Sequence, residues 1–200
     1  MKKLLMLIAL ILSITAAKAQ DELPDIPSEV THMKFMGIPM DCDAESFAKR
    51  LEKEKGLVRG NYANTDKPTL KGTFSGYKDC FFIVTGDGGN VGNVGVIMPL
   101  QETFYLLKSQ YQTMKTRLIT KYGIPDTEEE GFRDYEPSSD LGRMRELREG
   151  NAKFECSFKL KEGMIKLMMA SVDYTGGYVQ LLYIDFKNAI QATDSTLDDL

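Results

Sequence analysis

Apolar residues recur along this chain in two periods, and the switches between them mark its elements. Ala44, Phe47, Ala48 and Leu51 share one helical face; Asp43 is placed to cap that helix, Glu45 complements its dipole and Gly56 stops it. Three extended segments follow, Leu70 to Gly76, Cys80 to Thr85 and Val91 to Met98, and read as an antiparallel meander. Behind Pro99, the positions Leu100, Phe104, Leu107, Tyr111, Met114 and Leu118 step by four and three, which predicts a long helix ending at Tyr122-Gly123-Ile124-Pro125. This stripe is read as a face packed on a sheet.

The stretch Asp126 to Glu136 is acidic and reads as a loop, and Ser138 to Glu149 as a short charged helix with Leu141, Met144 and Leu147 inward. From there the period returns to two. Phe154, Cys156, Phe158 and Leu160 alternate with Lys153, Glu155, Ser157 and Lys159, as in a sheet with one covered and one wet face. Met164 to Val172 and Tyr178 to Phe186 complete a second set of three strands, and the polar tail from Asn188 to Leu200 is expected to fray.

Helices do not alternate with single strands, so a parallel nucleotide-binding sheet is disfavoured. The expectation is an α+β two-layer sandwich of tandem helix-plus-three-strand antiparallel meander repeats, with the helices on one face. The divisions that follow are 1–19, a signal peptide; 20–29, a flexible leader with Pro24 and Pro27; 30–98 and 99–187, the two α-βββ repeats of one compact domain; and 188–200, a flexible tail.

The first division changes the picture most. Lys2 and Lys3, the apolar stretch Leu4 to Ile14 and the small-x-small site Ala17-Lys18-Ala19 have the layout of a cleaved secretory signal, with the cut before Gln20. The expected location is therefore periplasmic or extracellular. The apolar run is shorter than the about 20 residues needed to span a bilayer. Cleavage takes three lysines from the 25 basic residues and leaves 22 against 29 acids, a net charge of −7. That balance argues against nucleic acid or an anionic membrane surface as a partner. An oxidising compartment also bears on the cysteines. Cys156 is in phase with an apolar strand face, which leaves Cys42 with Cys80 as the candidate disulfide and three buried thiols as the other outcome.

The segments Phe35-Met36-Gly37-Ile38-Pro39-Met40, Leu70-Lys71-Gly72-Thr73-Phe74-Ser75-Gly76 and Lys121-Tyr122-Gly123-Ile124-Pro125 resemble secreted Bacteroidetes-type proteins. Their helix-plus-meander layout is similar to the small domains of the β-lactamase-inhibitor-protein-like and outer-membrane-assembly lipoprotein families. The resemblance implies a helix layer on an antiparallel sheet; it transfers no functional residue, although such domains bind protein partners.

Chemistry is sparse. His32 is the one histidine, and as a catalytic base it would need a nucleophile and an orienting partner that the sequence does not place. It lies at no close ligand spacing to a thiol, which disfavours zinc. The segment Gly86-Asp87-Gly88-Gly89-Asn90-Val91-Gly92-Asn93 continues into a strand, where phosphate-binding glycine motifs require a helix. Asp87, Asn90 and Asn93 offer calcium oxygens without the closing Glu of an EF-hand, so a hairpin connection is the favoured reading. Glu128, Glu129 and Glu130, or Asp134 with Glu136, are read as a solvated acidic turn rather than a glycosidase pair, which needs two carboxyls fixed across a cleft. No cofactor is expected.

What remains is a surface. Tyr77, Tyr174 and Tyr178, among charges and with Gln180 nearby, are the candidate protein-binding residues on the helix-free sheet face; half-buried edge tyrosines are the plainer alternative. The leading expectation is an exported, non-enzymatic binding or inhibitor-like module acting on a protein or envelope component. The rival is an exported hydrolase or a small-ligand or calcium-binding protein with its site between the two repeats.

Overall fold

The Asp43 carboxylate accepts a hydrogen bond from Ser46 N at 2.9 Å, and Gly56, at φ 65°, ends the first helix as the pattern predicts. In the computed structural model, which describes residues 31–60, 66–86, 89–173 and 176–189, this helix is α1 (Ala44–Lys55). It follows a small hairpin, β1 (Lys34–Phe35) and β2 (Ile38–Pro39). Then come β3 (Val58–Arg59), β4 (Thr69–Phe74), β5 (Tyr77–Thr85), β6 (Asn93–Ile97) and α2 (Phe104–Tyr122). The chain continues with β7 (Thr127–Phe132), α3 (Asp140–Glu149), β8 (Ala152–Lys159), β9 (Gly163–Asp173) and β10 (Gly176–Asp185). The expected signal, leader and Tyr174, and the tail beyond residue 189, lie outside the described residues.

β3 to β10 form one antiparallel sheet of eight strands in the order β3-β4-β5-β6-β10-β9-β8-β7. The two meanders therefore meet edge to edge where Leu181 of β10 pairs with Val96 of β6. The fold is α+β. The main core joins Phe47 and Leu51 of α1, Leu107, Tyr111 and Met114 of α2, and Met144 of α3 to one face of the strands, including Phe82, Val96, Phe154, Leu167 and Leu181. A smaller cluster, Ile83, Ile97 and Tyr178 with Phe81, Ala170 and Val172 against it, is made of strand residues alone.

Four expectations need correction. Leu100 and Leu141 are each 62% exposed, because α2 begins only at Phe104 and α3 turns Met144 and Leu147 inward instead. The acidic stretch Asp126 to Glu136 is a loop only in part: Thr127–Phe132 pairs with β8 along its whole length, and 133–136 lie outside any helix or strand. Ion pairs let three consecutive glutamates sit in an edge strand. Lys115 Nζ lies 2.7 Å from Glu128 Oε1 and 2.6 Å from Glu130 Oε1, and Lys153 Nζ lies 3.0 Å from Glu129 Oε2. Charge along an outer strand also discourages pairing with another chain. Finally, Asn188 does not begin a frayed tail; it is buried in a helical turn at 186–189.

Glu130 gives this edge a pH dependence. Burial pushes its carboxyl up, but hydrogen bonds from Lys115 and Gln112 outweigh burial and hold it below the ordinary glutamate value of 4.5. A depressed folded value means stability that is present above 4.5 and lost as pH falls through the folded value. Chemical denaturation of Glu130→Gln against the natural chain between pH 7 and pH 3 should show a shallower loss in the variant; equal slopes would refute the coupling.

Candidate functional site

Two tight hairpins place the mouth of a cleft that carries clustered charge. Met36 (φ 50°) and Gly37 (φ 82°) link β1 to β2, and Ser75 (φ 49°) and Gly76 (φ 83°) link β4 to β5. Positive φ at both central residues is what a type I′ two-residue turn requires. Between these turns and the C-terminal half of α2 lies a cleft of about 550 Å³. Residues from the first half of the chain (31–34, 36–37 and 74–75) face residues from the second (Met114, Arg117, Leu118, Lys121, Tyr122, Leu160, Glu162 and Tyr183). The cleft is thus at the junction of the two halves.

Its lining is amphipathic for a local reason. Met114, Arg117, Leu118 and Lys121 follow one another at three, one and three residues on α2, so an apolar row and a cationic row run side by side. Arg117 Nη1 donates to the carbonyl of Ser75 and, at 3.1 Å, to its hydroxyl, and the guanidinium stacks 5.4 Å from the Tyr77 ring centre. Lys121 Nζ sits 4.7 Å over the Tyr122 ring. Lys34 adds a third cation from β1. None of the three makes an ion pair among the described residues. Lys49, Arg50, Arg59, Lys71, Lys115, Arg143, Lys153 and Lys166 all do. Three cations without an ion pair thus line this cleft, with Glu162 the one carboxylate in its lining; Lys53, Lys55, Lys78, Lys108, Arg133, Lys159, Lys161 and Lys187 likewise make none among the described residues but lie outside it.

His32 forms part of the same wall, and the structure supplies the partner that sequence could not. Its Nδ1 lies 3.4 Å from Oδ2 of Asp185, which is fully buried at the end of β10, though outside hydrogen-bond geometry. Asp185 also accepts from Met33 N at 2.6 Å and from Asn188 N at 2.8 Å. Asn188 Nδ2 in turn donates to the carbonyls of Met40 (2.7 Å) and Val91 (3.0 Å). Burial pushes the Asp185 carboxyl up against the opposing pull of these donors and of His32. This clasp fastens residues 32 and 33, the cleft wall, to the end of the last strand.

The tyrosines predicted for a binding face are not brought together. Tyr178 is only 1% exposed and Gln180 only 3%, so neither offers a surface; the alternating pattern places both on the second face, but not how deeply they lie. Tyr77 is half-buried beneath Arg117 and packs against the main core. The wet face predicted along β8 is partly neutralised, with Lys166 Nζ 3.0 Å from Glu155 Oε2, and Ser157 is buried against Thr127.

The cysteines are three free thiols, with Cys42 half-buried and Cys80 and Cys156 buried; the candidate Cys42–Cys80 bond is not formed. Burial pushes Cys80 up to about 11 and Cys156 above its ordinary value. Thiols so raised are poor nucleophiles. In the glycine-rich segment, Asp87 lies outside the described residues, Asn90 bridges to Asp43, and Asn93 is already the first residue of β6. Among the described residues no group of three or more His, Cys, Asp or Glu side chains converges on a metal position, and no helix is long and apolar enough to cross a membrane.

The chain matches no protein-family model, no curated protein and no solved structure.

Proposed function

We propose that the chain is an exported, non-enzymatic binding module that takes a small anionic ligand in the cleft between its two halves. The observation that carries this reading is the gathering of Lys34, Arg117 and Lys121, without carboxylate partners among the described residues, around one concave site of small-ligand size. Export rests on the signal-like residues 1–19.

Calorimetric titration of citrate, phosphate and calcium chloride tests the proposal. At least one of the two anions should bind saturably, with affinity falling about tenfold or more between 50 mM and 500 mM salt, and Lys121→Glu should weaken binding about fivefold or more. Salt-independent binding, or none at all, refutes it. Saturable turnover of ester, amide or glycoside substrates that is lost in His32→Ala would replace it with the hydrolase reading, in which His32, 3.4 Å from the Asp185 carboxylate, would serve as the base.

A second reading has its own observation. Tyr105, Tyr135 and Leu141 are 76%, 64% and 62% exposed, and Tyr135 and Leu141 line one shallow groove beside Ser139. Asp140 caps α2 through Phe104 N and Tyr105 N, which brings Tyr105 to the same end of the molecule. Exposed tyrosine with leucine suits a protein partner, in keeping with the resemblance to inhibitor-like domains.

A further inference from the structure

We infer that the ligand of the junction cleft is a long-chain carboxylate, an acyl chain with one anionic head, an inference that rests on the anion-binding reading and sharpens it. A site built for a compact anion surrounds it with donors. This cleft instead carries Arg117 and Lys121 on α2 and Lys34 on the facing wall, and its apolar lining, Met33, Met36, Met114, Leu118, Phe74 and Leu160, is interleaved with the polar Thr31, His32, Ser75 and Glu162. On α2 the two characters run in parallel rows, Met114 with Leu118 beside Arg117 with Lys121. A ligand that satisfies both rows is itself amphipathic.

Methionine supports the same conclusion. Three of the six apolar wall residues are methionines, whose unbranched thioethers conform to a flexible chain more readily than branched side chains do. Met36 is the telling one. It occupies the first central position of a type I′ turn at φ 50°, where Asn, Asp or Gly is the economical choice and a non-glycine residue is strained. The turn geometry gives no reason for methionine there; its side chain packs against the main core and also reaches the cleft wall. The volume of about 550 Å³ is within the usual range for one small ligand.

Calorimetric titration of the full mature chain with octanoate, decanoate and dodecanoate, each below its micelle concentration, tests the assignment, with octylamine and decanol as head-group controls. Affinity should rise about two- to fourfold per added methylene. Octylamine should not bind, and decanol should bind about tenfold or more weakly than decanoate. The double variant Lys34→Gln/Lys121→Gln should lose about tenfold or more in dodecanoate affinity with an unchanged urea midpoint, and Met36→Asn should flatten the chain-length dependence while leaving the turn intact. Affinity independent of chain length, equal binding of octylamine, or full affinity in the double variant overturns the inference. If citrate or phosphate binds at the same cations while dodecanoate does not, the long-chain assignment falls and the anion site stands; if no anion binds, both fall.

Discussion

Asn188→Ala should cost the protein about 2–4 kcal/mol, read as a drop in the free energy of urea unfolding at pH 7. Asn188 is buried and its amide is the donor for two carbonyls, those of Met40 and Val91, from distant parts of the chain. Truncation leaves both carbonyls without that donor in a dry setting, and each orphaned group costs about 1–3 kcal/mol. Asp185→Ala should cost a similar amount, because it removes the acceptor for Met33 N and for Asn188 N, the latter being the cap of the helical turn that carries Asn188. The two changes break one network, so the double variant should lose clearly less than the sum. Additive losses would mean that the clasp does not act as a unit. Because Met33 and His32 belong to the cleft wall, the same variants should weaken anion binding without touching a cation of the site.

The clasp shows where sequence reasoning stopped. Period and capping were legible: Asp43, Gly56 and the four-three stripe from Phe104 to Leu118 all sit where the pattern puts them, since helix ends and amphipathic faces are local properties. The antiparallel meanders were legible for the same reason. Leu100 and Leu141 were misplaced by a helix start and a helix phase; the other misreadings are non-local. A run of three glutamates reads as a loop until Lys115 and Lys153 arrive from α2 and β8 to neutralise it. Asn188 reads as tail until Met40 and Val91 are brought to it across separations of 148 and 97 residues. His32 lacked a partner because Asp185 is at the other end of the chain. The cleft was partly visible, as a site between two halves, and the pairing of Arg117 and Lys121 four residues apart on the flank of an apolar stripe was the available clue. Lys34 could be joined to them only by the β1–β2 hairpin standing across the cleft from α2.

Tyr178 gives the second large effect, and it separates stability from surface function. Tyr178→Ala should destabilise by about 3–5 kcal/mol, the range for emptying a large buried aromatic site. The ring is 1% exposed and shares the smaller core with Ile83 and Ile97, with Phe81, Ala170 and Val172 packed around it. The cluster also bridges the seam between the two meanders, since Tyr178 is on β10 while Ile83 and Ile97 are on β5 and β6. Tyr178→Phe behaves differently. The hydroxyl is buried without a hydrogen-bond partner, and burial pushes its pKa up to about 12, so removing it relieves an unpaired polar group. That variant should be neutral or stabilising by up to about 1 kcal/mol. A loss of partner capture in Tyr178→Ala alone would therefore report unfolding of the seam, whereas a loss in Tyr178→Phe at unchanged stability would return the tyrosine to a recognition role. Equal destabilisation in both variants would show that the hydroxyl has a partner after all, and would make the second core a polar one.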